Sequence, residues 1–383
     1  MAIADWTVLI AYLVGTVLLG VILGRLVKNS SDMFSAGGTS PWWASGLSAF
    51  MTMFSANTFV VWGSIAFDVG MVAVMINLMY GVAALLVGVF VAGRWKGMGI
   101  ETPAEYVRLR FGKGALHFYT WSMMVLRVVG TAAALYALAK ILVALMPLDE
   151  GNMLRDPETG NLSLRWAILI FGSVVVLYTM IGGLWAVLMT DVLQFIILNL
   201  AVLFVVPLAL HQVGGLGGFI EAAPEGFFDL VKEEKYSVFF LAGWAAIHFF
   251  MIGAEWAFVQ RFLCVPTKKD ARKSTFLFAA LYLCSPLLWL LPPMIYRVSN
   301  PGADAEQAYI LACQSVLPIG MVGLMLAAMF SATASMVSSQ LNVFSGVLTH
   351  DIYKPLAKAS TAKSLLRAGR IFTVLLGILL IGI

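Results

Sequence analysis

Asp191 is the residue of this chain with the fewest ordinary explanations. It follows Thr190 at the start of an apolar run, shortly after Gly182-Gly183-Leu184-Trp185. If that run lies in a bilayer, an ionised carboxylate there costs at least about 2.5 to 3.5 kcal/mol, so it is normally paired, protonated or ion-bound. The position reads as a cation or proton site, or as an acidic N-cap at the inner boundary of a helix. A second oxygen source is the row Ser331, Thr333, Ser335, Ser338 and Ser339, interleaved with Ala332 and Ala334. Hydroxyl, carbonyl and carboxylate oxygens suit a hard cation such as sodium better than His or Cys does. Close packing by small residues explains an Ala/Ser-rich helix about as well.

Two further stretches interrupt aromatic and methionine runs with polar groups or glycine. One runs from Phe50 to Phe59 and holds Thr52, Ser55, Asn57 and Thr58; the other runs from Ala246 to Glu255 and holds His248 and Gly253. Arg127, deep in an apolar stretch, could meet an anionic solute or a buried carboxylate, whereas Lys140 is near enough to Pro147 to snorkel outward. His248 is a candidate solute partner or a packing residue. Glu255 is expected to pair with a local base such as Arg261.

The elements that must position these groups are membrane helices. With 61% hydrophobic and 11% charged residues and a mean hydropathy of +0.92, the chain needs lipid as its solvent. A hydrocarbon core about 30 Å thick takes roughly 20 apolar residues per helix. Ten stretches qualify, near 6–24, 43–67, 71–93, 116–146, 164–182, 190–210, 237–260, 274–296, 308–348 and 371–383. This predicts an all-α, polytopic membrane protein with one domain over 1–383. The first helix lacks a preceding basic residue and is followed by Arg25 and Lys28, the reverse of a cleaved signal, so it is expected to stay. Cys264, Cys284 and Cys313 form no CxxC pattern and read as packing residues. The last span stops at Ile383 while still apolar, so the C-terminal end is expected to be incomplete or naturally short.

Basic residues set the orientation. The loops near 25–40, 94–115, 261–273 and 350–370 carry 17 of the 24 lysines and arginines; those near 147–165, 211–237 and 297–307 carry 5. The N-terminus is therefore expected outside a plasma or inner membrane. The interrupted stretches fall in spans two and seven, five spans apart. Breaks at matching places in two five-helix halves point to an inverted-repeat transporter with its site at the midplane. An intramembrane enzyme is disfavoured, because four dispersed histidines, no evident aspartyl pair and no GxSG-type motif give it no machinery. A nontransporting sensor on the same scaffold stays open.

Several ordered stretches carry a family resemblance. They are Ser31-Asp32-Met33-Phe34-Ser35-Ala36-Gly37-Gly38 with Pro41-Trp42-Trp43, Glu101-Thr102-Pro103-Ala104-Glu105-Tyr106, Gly182 to Val187 with Thr190 to Phe195, Gln260-Arg261-Phe262-Leu263, and Ala327 to Thr333 with Thr349 to Lys354. Together they resemble the sodium:solute symporter family. The resemblance implies a LeuT-like bundle of two inverted five-helix repeats, about 43–213 and from about 237, behind one extra N-terminal helix. It implies sodium-coupled symport of a small polar solute such as a sugar, amino acid or carboxylate by alternating access. Sodium would be held by the carbonyls of Met51, Phe54 and Ala332 and the Ser335 hydroxyl, with Asp191 in support. The next family ligand position is Met336, whose thioether is a poor sodium ligand. Solute contacts would fall at Ser55, Asn57, Thr58, Asn77, His248 and Tyr282, with Arg127 added from its own chemistry and Phe250 and Met251 near an inner gate. The sugar branch has Glu-Gln where this chain has Asn57-Thr58, and the sialic acid branch has an arginine about one turn from Arg127. Expected partners are a solute, sodium and lipid, with no cofactor and no nucleic acid.

Overall fold

The computed structural model describes residues 2–357 and 361–383. Lys358, one of the basic residues of the 350–370 loop, lies outside them. The first half of the chain forms α1 (Ile3–Gly24), α2 (Ser30–Ser35), α3 (Trp42–Thr52), α4 (Ala56–Val69), α5 (Met71–Phe90), α6 (Ala92–Gly97), α7 (Pro103–Ala144), α8 (Leu164–Gln212) and α9 (Gly215–Ala222). The second half forms α10 (Val238–Ala254), α11 (Trp256–Leu263), α12 (Lys268–Cys284), α13 (Pro286–Ser299), α14 (Ala308–Val316), α15 (Met321–Val347), a π-helical turn Leu348–Tyr353, α16 (Lys354–Leu356) and α17 (Ala362–Gly382).

Both interrupted stretches are real breaks. α3 and α4 meet at a 63° bend and α10 and α11 at 55°. At the first, Met53 and Phe54 N–H tighten back onto Phe50 and Met51 carbonyls (3.2 and 3.0 Å), and Ser55 is fully extended. The chain then restarts through a capping box: Ser55 Oγ accepts from Asn57 N–H and Thr58 Oγ1 from Ser55 N–H, each at 3.3 Å. At the second break, Glu255 is extended, and the carbonyl of Gly253 is caught by Trp95 Nε1 at 2.7 Å. The side-chain donor satisfies a carbonyl that the bend takes out of the helical ladder.

α8 joins spans five and six without a loop. A straight helix of 49 residues would be about 73 Å long at 1.5 Å per residue, more than twice the hydrocarbon core. Gly183, at φ 53° and ψ −147°, turns it back. Tyr178 before the turn and Gln194 after it reach Ala334 O (3.2 Å) and Ser331 O (3.3 Å), carbonyls one turn apart on α15. A Cβ on Gly183 would sit 2.6 Å from Met33 O, so only glycine fits this corner.

α15 is the centre of the bundle, with 78% of its apolar window buried. α1 is pinned to its start by Asp5, whose Oδ1 accepts from Gly320 and Gly323 N–H at 2.8 and 3.0 Å. Two expected boundaries are corrected. The 94–115 loop is largely helical, because Thr102 caps and Pro103 opens α7 well before its apolar part. The 308–348 span divides into α14 and α15 at Leu317–Gly320, whereas 274–296 falls within one span, Lys268–Ser299, interrupted only at Ser285 ahead of Pro286.

Candidate functional site

Where the broken spans pass α8 and α15, the chain buries a polar network. The side chains of Asp191 and Arg261 are both fully buried, with Arg261 Nη2 3.7 Å from Asp191 Oδ2. Ser48 Oγ donates to the same carboxylate oxygen and receives Arg261 Nε at 3.1 Å. Arg261 also donates to Ala257 O (3.0 Å), Gln260 Oε1 (3.2 Å) and Ser339 Oγ. The Gln194 amide, with its nitrogen toward the acceptors, donates to Asp191 Oδ1 at 3.1 Å. Thr52 Oγ1 lies 3.3 Å from Ser339 Oγ and donates to Ser48 O at 2.7 Å. One carboxylate therefore ties α8 to the α3 end of broken span two, to the α11 arm of broken span seven and, through Arg261, to the hydroxyl row of α15. Burying both charges is sustainable because nearly every donor and acceptor is used.

The exception is Ser335. Its hydroxyl faces the Asp191 carboxylate yet closes no hydrogen bond of normal geometry. Ser331 Oγ, by contrast, donates to Ala327 O (2.6 Å) and touches the Tyr12 hydroxyl (2.7 Å), and Ser338 Oγ donates to Ser335 O (3.1 Å). Among the described residues no backbone donor reaches the Phe54 carbonyl at the first break. Met336 is half-buried where its neighbours in the row are buried.

A second group surrounds the α10–α11 break. Glu255 pairs with Arg127 of α7 at 3.1 Å and receives Gln340 Nε2 at 2.9 Å. This corrects the pairing expected for Glu255: Arg261 turns to Asp191 instead. The Arg127–Glu255 pair floors a half-open cavity of about 210 Å³ walled by Tyr119, Met123, Phe250, Met251 and Trp256. Arg127 is thus not a free guanidinium, although 38% of its side chain is exposed.

The remaining candidates divide. His248 and Tyr282 share an aromatic box with Tyr80 and Trp244, with His248 4.3 Å from the Tyr80 ring centroid and Tyr80 5.3 Å from Tyr282. Nδ1 of His248 is bonded to Trp244 O at 2.8 Å. Tyr282 also packs on Phe50 and Phe54, which joins this box to the first break. Asn77 is buried and spends its amide on Ala73 O (2.9 Å). Ser55 and Thr58 serve the capping box, and Asn57 is exposed beside them. Sequence reasoning missed Ser48, Gln194, Tyr80 and Trp244 as site residues. Ser48 and Tyr80 carry no local signal, since their partners lie far away in sequence, whereas Gln194 stands three residues from Asp191 and Trp244 four from His248, about one helical turn in each case.

Residues 33–383 match the family model described as the sodium:solute symporter family. The chain belongs to the sodium:solute symporter family. Relatives include the sodium/sialic acid symporter NanT of Aliivibrio fischeri, 27% identical over 98% of this chain and 75% of the relative. The sodium/glucose cotransporter of Vibrio parahaemolyticus is 26% identical over 85% of this chain and 64% of its own length. Among solved structures, one described as the substrate-bound outward-open state of a Na+-coupled sialic acid symporter superposes with a TM-score of 0.87. It covers 99% of this chain and 81% of that one at 23% identity, a likeness of fold. This symporter is accordingly an all-α, LeuT-like, multi-pass sodium-coupled solute transporter and not an enzyme.

Proposed function

We propose that the protein imports a small polar organic solute with sodium by alternating access. The observation that carries this reading is the pair of breaks, five spans apart, each facing α15 beside a buried carboxylate network. Sodium would bind between the carbonyls of Met51, Phe54 and Ala332 and the hydroxyl of Ser335, with Asp191 as the nearby counter-charge. In support, the Ser335 hydroxyl faces Asp191 without closing a hydrogen bond of normal geometry, and among the described residues no backbone donor reaches the Phe54 carbonyl. One sodium entering through 100 mV releases about 2.3 kcal/mol, and a tenfold gradient adds about 1.4.

The solute would lie between Ser55, Asn57 and Thr58 at the first break and Asn77, His248 and Tyr282 in the aromatic box. Arg127 would take part by exchanging Glu255 for an anionic group. The basic loops are proposed on the cytoplasmic side, placing the N-terminus outside, and residues about 43–213 and from about 237 as the inverted repeats.

Reconstituted vesicles with a sodium gradient test this reading with labelled sialic acid, hexoses, myo-inositol and amino acids. Sodium-dependent accumulation of one of them is the expected result; its absence across the panel, with sodium and potassium indistinguishable, would sink the proposal. Met336 at a family ligand position favours a second reading, a nontransporting sensor, for which solute binds in the same panel and never accumulates.

A further inference from the structure

A cluster of four cations lies where α6 meets the start of α12. Arg94 on α6 and Lys268, Lys269 and Arg272 on α12 are all exposed and line one concavity of about 740 Å³ with Gly93, Gly97 and Met98. Among the described residues none of these four cations takes part in an ion pair. The acid of the same turn, Asp270, receives the Thr267 hydroxyl at 2.6 Å as part of the α12 cap.

The cations are held in register. Gly93 and Gly97 are one turn apart on α6, as Lys268 and Arg272 are on α12. A Cβ on Gly93 would meet Arg272 Nε at 2.9 Å, and one on Gly97 would meet Lys268 Cε at 2.5 Å. The two side chains therefore run across bare backbone, and both line the concavity with Arg94 and Lys269. Like charges gathered in this way repel, and an anion offsets that repulsion.

The surroundings favour one source of anion. α6 closes one apolar span and α12 opens another, so the concavity sits at the polar end of two membrane helices. Beside it Phe90, Met98 and Phe276 are exposed, as are Trp42 and Trp43, with Lys273 lying 5.6 Å over the Trp42 ring. Interfacial tryptophans mark headgroup depth, and basic pockets between membrane helices suit phosphate headgroups. The geometry points to a binding site for the phosphate of an anionic phospholipid, held by Arg94, Lys268, Lys269 and Arg272, with its acyl chains along Phe90 and Phe276. The site is separate from the sodium and solute positions and does not rest on the transport reading.

Native mass spectrometry of the purified full chain, titrated with phosphatidylglycerol, phosphatidylcholine of the same chains, or inorganic phosphate, tests it. Phosphatidylglycerol is expected to bind at least tenfold more tightly than phosphatidylcholine. Each lost cation should weaken it about fivefold. Lys269→Gln therefore gives about fivefold, and the triple variant Lys268→Gln, Lys269→Gln, Arg272→Gln on the order of a hundredfold. Lys268→Arg with Lys269→Arg should bind as the unaltered chain does, and so should Lys363→Gln with Arg367→Gln, two exposed cations of α17. The proposal is overturned if the triple variant retains phosphatidylglycerol unchanged, or if the α17 variant loses as much. It is equally overturned if inorganic phosphate binds as tightly as the lipid, which would make the occupant a free anion.

Discussion

Ser335→Ala separates a structural hydroxyl from a ligating one. Among the described residues the buried Ser335 hydroxyl faces Asp191 but closes no hydrogen bond of normal geometry, and a group so placed costs about 1 to 3 kcal/mol in lost hydration. Removing it leaves almost no cavity, so the sodium-free protein should be as stable as before, or more stable by about 1 kcal/mol. Sodium reverses the sign. If the hydroxyl is one of about four oxygen ligands, its loss should weaken sodium binding about tenfold, a difference of about 1.4 kcal/mol. At a sodium concentration 100 times the dissociation constant, binding stabilises the folded state by about 2.7 kcal/mol; after a tenfold loss of affinity, by about 1.4. Thermal unfolding in detergent, with sodium or potassium chloride at equal ionic strength, reads both numbers. Ser339→Ala is the contrast, since its hydroxyl bonds Arg261 and faces Thr52, and its loss should cost about 1.5 to 3 kcal/mol with either salt. The reasoning fails if Ser335→Ala lowers stability in potassium by more than about 1.5 kcal/mol, or leaves the sodium increment intact.

Asp191→Asn leaves the fully buried Arg261 without its counter-ion, and should cost about 3 to 5 kcal/mol. Adding Arg261→Met should recover most of the thermal stability, and a double variant as unstable as the single would argue against the pair. Glu255→Gln keeps an acceptor for Gln340 and releases Arg127, 38% exposed. Stability should change by less than about 1 kcal/mol, while carboxylate-bearing solutes should compete several-fold better against neutral ones in an uptake assay. Gly183→Ala places a Cβ 2.6 Å from Met33 O at a backbone conformation suited to glycine. It should cost about 3 kcal/mol or more and abolish the monodisperse gel-filtration peak; a normal peak would show that the α8 corner has another conformation available.

What the sequence disclosed, and what it hid, follows from how far each signal reaches. The two breaks were legible because a polar or glycine interruption in an apolar run is local, and lipid leaves few ways to satisfy it. The start of α7 was not. Arg108, Arg110 and Lys113 depress hydropathy, which reports burial in lipid, whereas the helix is set by the Thr102 cap and Pro103. The partner of Glu255 was hidden for a different reason. Six residues do not bring two side chains together on a helix, and the 55° bend at Glu255 turns α11 so that Arg261 enters the protein while Glu255 faces α7. No local pattern announces that exchange of partners.

The exchange also constrains the proposed coupling. Asp191 already faces Arg261, so a sodium ion at Ser335 would bring a second cation to one carboxylate. At 3.7 Å the Arg261–Asp191 contact is longer than a hydrogen bond, and Arg261 has Ala257 O, Gln260 and Ser339 to hold it if the contact lengthens. Arg261 rides on α11, the arm beyond the break in span seven, and Glu255 marks the hinge from which that arm departs. Sodium at Ser335 would thus bear on α11 through repulsion of Arg261, and any movement of α11 would change the affinity for sodium by the same free energy. If Arg261→Gln left both the sodium response and the solute-dependent protection of α11 from hydrogen exchange unchanged, the linkage between ion site and broken span would have to run through the α3 carbonyls alone.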